Sequence, residues 1–110
     1  MTALEAKEKA DAAKQTLFKK AFEKTVEYFN EQIEKIASEG GYCFCVYLKD
    51  EDLIEVIGER EVGELSYNPD LQTALRKKFE ADGFSVTFTR NYAFESSIRI
   101  SWKEPLKIRN

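Results

Sequence analysis

Two cysteines one residue apart, in the stretch 40-GGYCFCVYLKDED-52, are the residues whose type and spacing come nearest to chemistry. A Cys-x-Cys pair offers thiolates to a metal, to a disulfide or to an electrophile. Each use needs company. Structural zinc takes four ligands, and the chain has two Cys and no His, so a zinc site would have to be shared between two subunits. The lack of His also removes Ser–His and Cys–His relays. A disulfide between i and i+2 of an extended strand is strained, because those Cα atoms stand about 6.5–7 Å apart. The pattern therefore predicts that Cys43 and Cys45 are free thiols packed as small hydrophobes in a core.

The carboxylates come next. The segment 50-DEDLIEVIGERE-61 is rich in them, but it lacks the calcium-loop pattern of acids at positions 1, 3 and 5 with Gly at 6. No two of them stand out as an acid/base pair for hydrolysis. Gly58 and Gly63 are flanked by acids, which would repel a phosphate. No catalytic residue, metal ligand or cofactor is expected, and the chain reads as non-enzymatic.

Charge has a pattern along the chain. Residues 1–49 balance, and residues 50–70 carry eight acids against Arg60 alone. Residues 71–110 carry eight Lys or Arg against four acids. Such a polarised field biases the choice of partner. The acidic face, through Glu51, Asp52, Glu55 and Glu59, is the candidate contact for a basic protein surface, in the extreme case by mimicking DNA. The basic side is the alternative, as a nucleic-acid-binding module. It would use Arg76, Lys77, Lys78, Arg90, Arg99, Lys103, Lys107 and Arg109, with Tyr92 and Phe94 at a hairpin tip for stacking. A pI near 5.1 weighs against it.

These groups must be positioned by a scaffold, which the rest of the sequence outlines. Length suits one domain over 1–110. Residues 3–38 contain no Gly or Pro and predict one long helix. Thr2 is its N-cap with Glu5 three residues on, and Gly40 and Gly41 end it. Phe18, Phe22, Val26, Phe29, Ile33 and Ile36 form a bulky stripe at helical spacing. Ahead of it, Ala3, Ala6, Ala10, Ala13 and Leu17 make a heptad-like seam of small residues. A helix of that length, roughly 50 Å, outruns a domain of this size, so residues 1–17 are expected to project as an arm or to bend near 14–17. Ala6, Ala10, Ala13 and Leu17 are then the candidate interface of a homo-oligomer.

Residues 42–48 predict a strand with Tyr42, Phe44, Val46 and Leu48 on one face and Cys43, Cys45 and Tyr47 on the other. Neither face is polar, so the strand is expected to be buried on both sides or covered by a partner. Asp50 can cap a short helix with Leu53, Ile54 and Ile57 inward, and a strand over 53–57 is the alternative. Gly58 to Tyr67 reads as a loop anchored by Val62 and Leu65. Asn68-Pro69-Asp70 starts a second main helix, with Leu71, Leu75 and Phe79 buried and Gly83 as its stop. Residues 84–90 and 97–102 alternate strictly and predict an antiparallel hairpin around 91-NYAFE-95. The fold class is α+β: a long N-terminal helix and a second helix packed on a small, mainly antiparallel three-stranded sheet.

Three stretches, 33-IEKIASEGGY-42, 75-LRKKFEADGFSVTF-88 and 98-IRISW-102, together resemble the small accessory proteins of tailed bacteriophages and prophages. The resemblance covers most of residues 20–102. It implies an α+β binding protein that engages host or viral proteins, as an inhibitor or anti-defence factor among other roles, and it supplies no catalytic residues. With no apolar leader and no apolar run of about 18 residues, a cytoplasmic setting is expected, that of the host cell if the chain is phage-encoded. No membrane contact is expected.

Overall fold

The structure, a computed structural model, describes residues 1–90 and 96–106. Helix α1 spans Ala3–Ser38 as one unbroken element. Thr2 caps it, its hydroxyl accepting from the Glu5 N–H at 3.2 Å. Its far end is a paired-bond glycine stop: the Gly40 N–H donates to Ala37 O at 3.0 Å and the Gly41 N–H to Ile36 O at 2.9 Å. Gly40 takes the left-handed φ of +90° that this stop requires.

Strand β1 follows at Cys43–Tyr47. Helix α2 is Glu51–Ile57, and Asp50 caps it by accepting from the N–H groups of Asp52 and Leu53. The strand alternative over 53–57 is thereby excluded. Helix α3 is Glu59–Tyr67 and helix α4 is Pro69–Ala81, started by Asn68, whose side chain accepts from Asp70 and Leu71. Strands β2 (Ser85–Thr89) and β3 (Ser97–Ser101) close the order. The turn expected at 91-NYAFE-95 lies outside the described residues.

Residues 59–67 correct the sequence reading, which has a loop there. They are helical because Val62 and Leu65, one helical step apart, are both buried and because α3 lies along α1. Packing overrides the weak local propensity of a segment with an internal glycine.

The sheet is antiparallel throughout, in the order β1-β3-β2. One face carries Phe44, Val46, Ile98 and Ile100, all buried. Onto it pack the C-terminal half of α1 and the buried row of α4, Leu71, Leu75 and Phe79. Phe29 is the centre of this layer, with ring centroids 5.4 Å from Phe44 and 6.0 Å from Phe79. The buried meridian of α1 is Ala21, Thr25, Phe29 and Ile33. Phe18, Phe22, Val26 and Ile36 flank it half-buried, so Phe29 and Ile33 of the bulky stripe lie on the buried meridian, the smaller Ala21 and Thr25 precede them, and the rest of the stripe borders the packed face. The fold is α+β, with helices on one side of the sheet and, among the described residues, no element on the other.

Candidate functional site

Four features project from this scaffold. The first is the arm. Every residue from 1 to 16 is exposed, and Leu17 and Phe18 are the first to be half-buried. The helical residues 3–16 at 1.5 Å rise make an extension of about 21 Å, consistent with a longest dimension of 56 Å. The helix does not bend back. A detached helix of this length is marginal alone, but here it only propagates from a packed, already nucleated half. Ala6, Ala10 and Ala13 are exposed along it and Leu17 sits at its root. The Lys7–Asp11 pair at 2.8 Å is an i,i+4 surface bridge that adds little.

The second feature is a groove of about 690 Å³ where the arm leaves the body. Lys14, Gln15 and Phe18 form one wall, and Glu64, Tyr67, Asn68, Pro69 and Asp70 the other. Tyr67 is 85% exposed there. Sequence reasoning missed this place because it depends on α3 being a helix that ends beside α1. The Tyr67-Asn68-Pro69 break between two helices was the available signal.

The acidic surface is the third. Glu51, Asp52 and Glu55 are exposed on α2, and Glu59 is exposed at the start of α3. They lie on the short helices and not on the arm, so the two candidate groups form separate surfaces. Much of the acidity has a structural origin. Asp50 is a cap, Glu51 and Asp52 sit in the first turn of α2, Glu59 and Glu61 in that of α3, and Asp70 in that of α4. Acids there answer the positive end of each helix dipole. Two lysines of α1 tie the segment down. Lys24 Nζ donates to Ile57 O at 3.3 Å, and Lys20 Nζ lies 3.5 Å from Glu61 Oε1. Glu61 is buried, which opposes its ionisation. A hydrogen bond to its own backbone, the bond to Lys20 and the charges of Lys20 and Lys24 outweigh this and hold its carboxyl below the usual range. Burial, with the charges of Asp50 and Asp52, pushes the Tyr28 phenol up.

The fourth feature is the bare sheet face. Cys43, Cys45 and Tyr47 are exposed, the tyrosine at 55%. This corrects the expectation that the two cysteines are core residues. The alternation of faces is as the sequence reads, but among the described residues no second layer covers this side. Across the strands, Cys43 is level with Ser101 and Ser85, Cys45 with Arg99 and Thr87, and Tyr47 with Ser97 and Thr89.

The basic residues among those described lie on different elements and faces. Arg76, Lys77 and Lys78 are exposed on α4, where Arg76 lies over the Phe88 ring at 5.5 Å and Lys78 pairs with Asp82 at 2.6 Å. Arg99 is on the bare sheet face, and Arg90 and Lys103 are exposed beyond strand ends. Lys107, Arg109, Tyr92 and Phe94 lie outside the described residues.

Among the described residues, no three metal-ligating side chains come together, and no helix is long and apolar enough to cross a membrane. The fold and these surfaces define a two-layer α+β domain bearing a projecting helix. No family model, curated protein or solved structure matches the chain.

Proposed function

We propose that this chain is a non-enzymatic binding protein of the bacteriophage or prophage accessory type. It occupies the surface of a host or viral protein, in the manner of an inhibitor or anti-defence factor, and self-associates through its N-terminal helix. Its place of action is the cytoplasm, that of the host cell if it is phage-encoded. One observation carries the reading. Residues 3–16 are helical yet exposed on every side, an arrangement that contributes nothing to the core and presents a long face to another molecule. The seam of Ala6, Ala10, Ala13 and Leu17 suits close approach by a second helix, since small residues let backbones come near. The groove at the arm's root, with half-buried Phe18 and exposed Tyr67, offers that helix an aromatic seat. The exposed carboxylates Glu51, Asp52, Glu55 and Glu59 provide a second contact for a basic partner surface.

The arm carries its own handles for a test. Lys7, Lys9 and Lys14 are exposed on it. Amine cross-linking followed by mass spectrometry, combined with solution mass for the full chain and for a chain lacking residues 1–16, reads the arm's contacts directly. The expected result is cross-links from these lysines to a second copy, and a mass that falls to the monomer on deletion. A monomer in both cases, with cross-links confined to one copy, would overturn the arm's role.

A further inference from the structure

Cys43 and Cys45 meet three conditions that bear on metal binding. They project from the same face of β1, two residues apart. Both are exposed and free. An extended strand holds their Cα atoms too far apart for an easy bond between them. The pair therefore stays a dithiol whose sulfurs can turn toward a common point above the sheet. A bridging metal asks for less than a disulfide does, because two metal–sulfur bonds of about 2.3 Å span the gap in place of one sulfur–sulfur bond.

The surroundings decide which ion fits. Backbone bonds place Arg99 beside the pair. The Leu48 N–H donates to Ser96 O and the Trp102 N–H to Tyr42 O. The even-numbered residues of β1 thus exchange bonds with β3, and Cys45 faces Arg99 as a non-hydrogen-bonded pair. Such pairs bring Cα atoms to about 4.5 Å and their side chains closest. Serine hydroxyls stand level with Cys43, on Ser101 and Ser85. No third thiol, imidazole or carboxylate joins the cluster among the described residues. Four-coordinate zinc is then unmatched. A soft ion content with two sulfurs is matched, and thiolates select Cu(I). A Cu(I) ion held by two thiolates leaves one net negative charge, which the Arg99 guanidinium neutralises.

We propose that Cys43 and Cys45 form a two-thiolate site for a soft monovalent cation of the Cu(I) class, with Arg99 as its charge-balancing neighbour. On binding, two S–H bonds break and two metal–sulfur bonds form. Both protons pass to the solvent, and no electron moves.

The test is an anaerobic titration of the full chain with Cu(I), in competition with a chromogenic Cu(I) chelator. The variants are Cys43→Ser, Cys45→Ser and Arg99→Gln. All three side chains are exposed, so thermal melts of the variants should match the parent, and a cysteine variant whose melt does not match is replaced by the Cys→Ala form of the same position. We expect one Cu(I) per chain with no change in solution mass on loading. Either serine variant should lose roughly 100-fold or more in affinity, since the second thiol binds at high effective concentration. Arg99→Gln should lose about tenfold, as neighbours of metal ligands typically do. Undiminished binding by either serine variant would overturn the site. So would one ion per two chains with a doubled mass, which would mark a cluster shared between copies.

Discussion

Lys20 of α1 reaches across to Glu61 of α3, with Nζ 3.5 Å from Oε1, and the carboxylate it meets is buried. This contact joins the root of the arm to the acidic segment. Its importance lies in what would be left behind. A buried carboxylate that loses its partner carries an uncompensated desolvation cost.

The Glu61 carboxyl is held below the usual carboxylate range in the folded chain. A depressed carboxyl stabilises the fold at pH values above its unfolded-state pKa, and that contribution disappears as pH falls through its folded-state pKa. Glu61→Gln should therefore lower Tm at pH 7, and the difference should shrink as pH falls below the usual carboxylate range. Because Lys20 is about half exposed, solvent screening keeps the effect near ~1 kcal/mol, or roughly 4–8 °C. Melting curves of both proteins across that range test this. A Tm difference that stays constant with pH would show that Glu61 acts by shape alone.

Gly58 and Gly63 should respond in opposite directions to the same change. Gly58 has φ +111°, and a β-carbon there would overlap the Glu61 carboxylate. Gly63 lies inside α3 with open space where its β-carbon would go. Gly58→Ala should cost about 1–2 kcal/mol or more through backbone strain and displacement of Glu61. Gly63→Ala should add about 0.5–1 kcal/mol through helix propensity and a less flexible unfolded chain. Urea denaturation of the two variants gives both signs. Stabilisation by both would refute the left-handed turn that starts α3.

Thr25 is fully buried on the meridian of α1, and its hydroxyl has no hydrogen-bond partner among the described residues. An unmet buried hydroxyl costs about 1–3 kcal/mol. Thr25→Val keeps the branched shape and removes that cost. It should raise stability by about 1 kcal/mol, measured by the same urea method. A loss of stability would show that the hydroxyl is bonded in solution.

How far the sequence foretells this molecule differs by element. Helix α1 and helix α4 are legible because each carries its own punctuation, Thr2 and Gly40 for one, Asn68-Pro69 and Gly83 for the other, around an apolar row at helical spacing. Helix α3 is hidden. Its nine residues include Gly63 and three acids, and only Val62 and Leu65 signal a face. What makes it helical is α1 lying alongside, a fact of the tertiary structure. The cysteines show the converse. Alternation correctly separates Phe44 and Val46 from Cys43, Cys45 and Tyr47. Apolar character on both faces then suggests two covering layers, yet the described residues supply one. A strand's sequence reports what each face tolerates, and the number of layers is decided by the other elements.

The acidic surface calls for a variant that separates partner binding from helix starting. Glu51 and Asp52 occupy the first turn of α2, where each negative charge is worth about 0.3–1 kcal/mol against the helix dipole. Reversing both to Lys should therefore lower Tm, and any loss of binding would be confounded with that damage. Glu55 lies beyond the first turn and is exposed. Glu55→Lys should leave Tm within about 2–4 °C, since isolated surface changes stay near ±0.5 kcal/mol. Against the partner recovered by cross-linking, the same variant should weaken binding by about tenfold, with a slower on-rate and a shallower salt dependence, as expected when a steering charge is reversed. An unchanged affinity with an unchanged Tm would remove the acidic surface from the contact and leave the arm to carry it. The contrast in Tm between the Glu55 variant and the Glu51/Asp52 double variant holds whatever the partner is, because it depends only on where α2 begins.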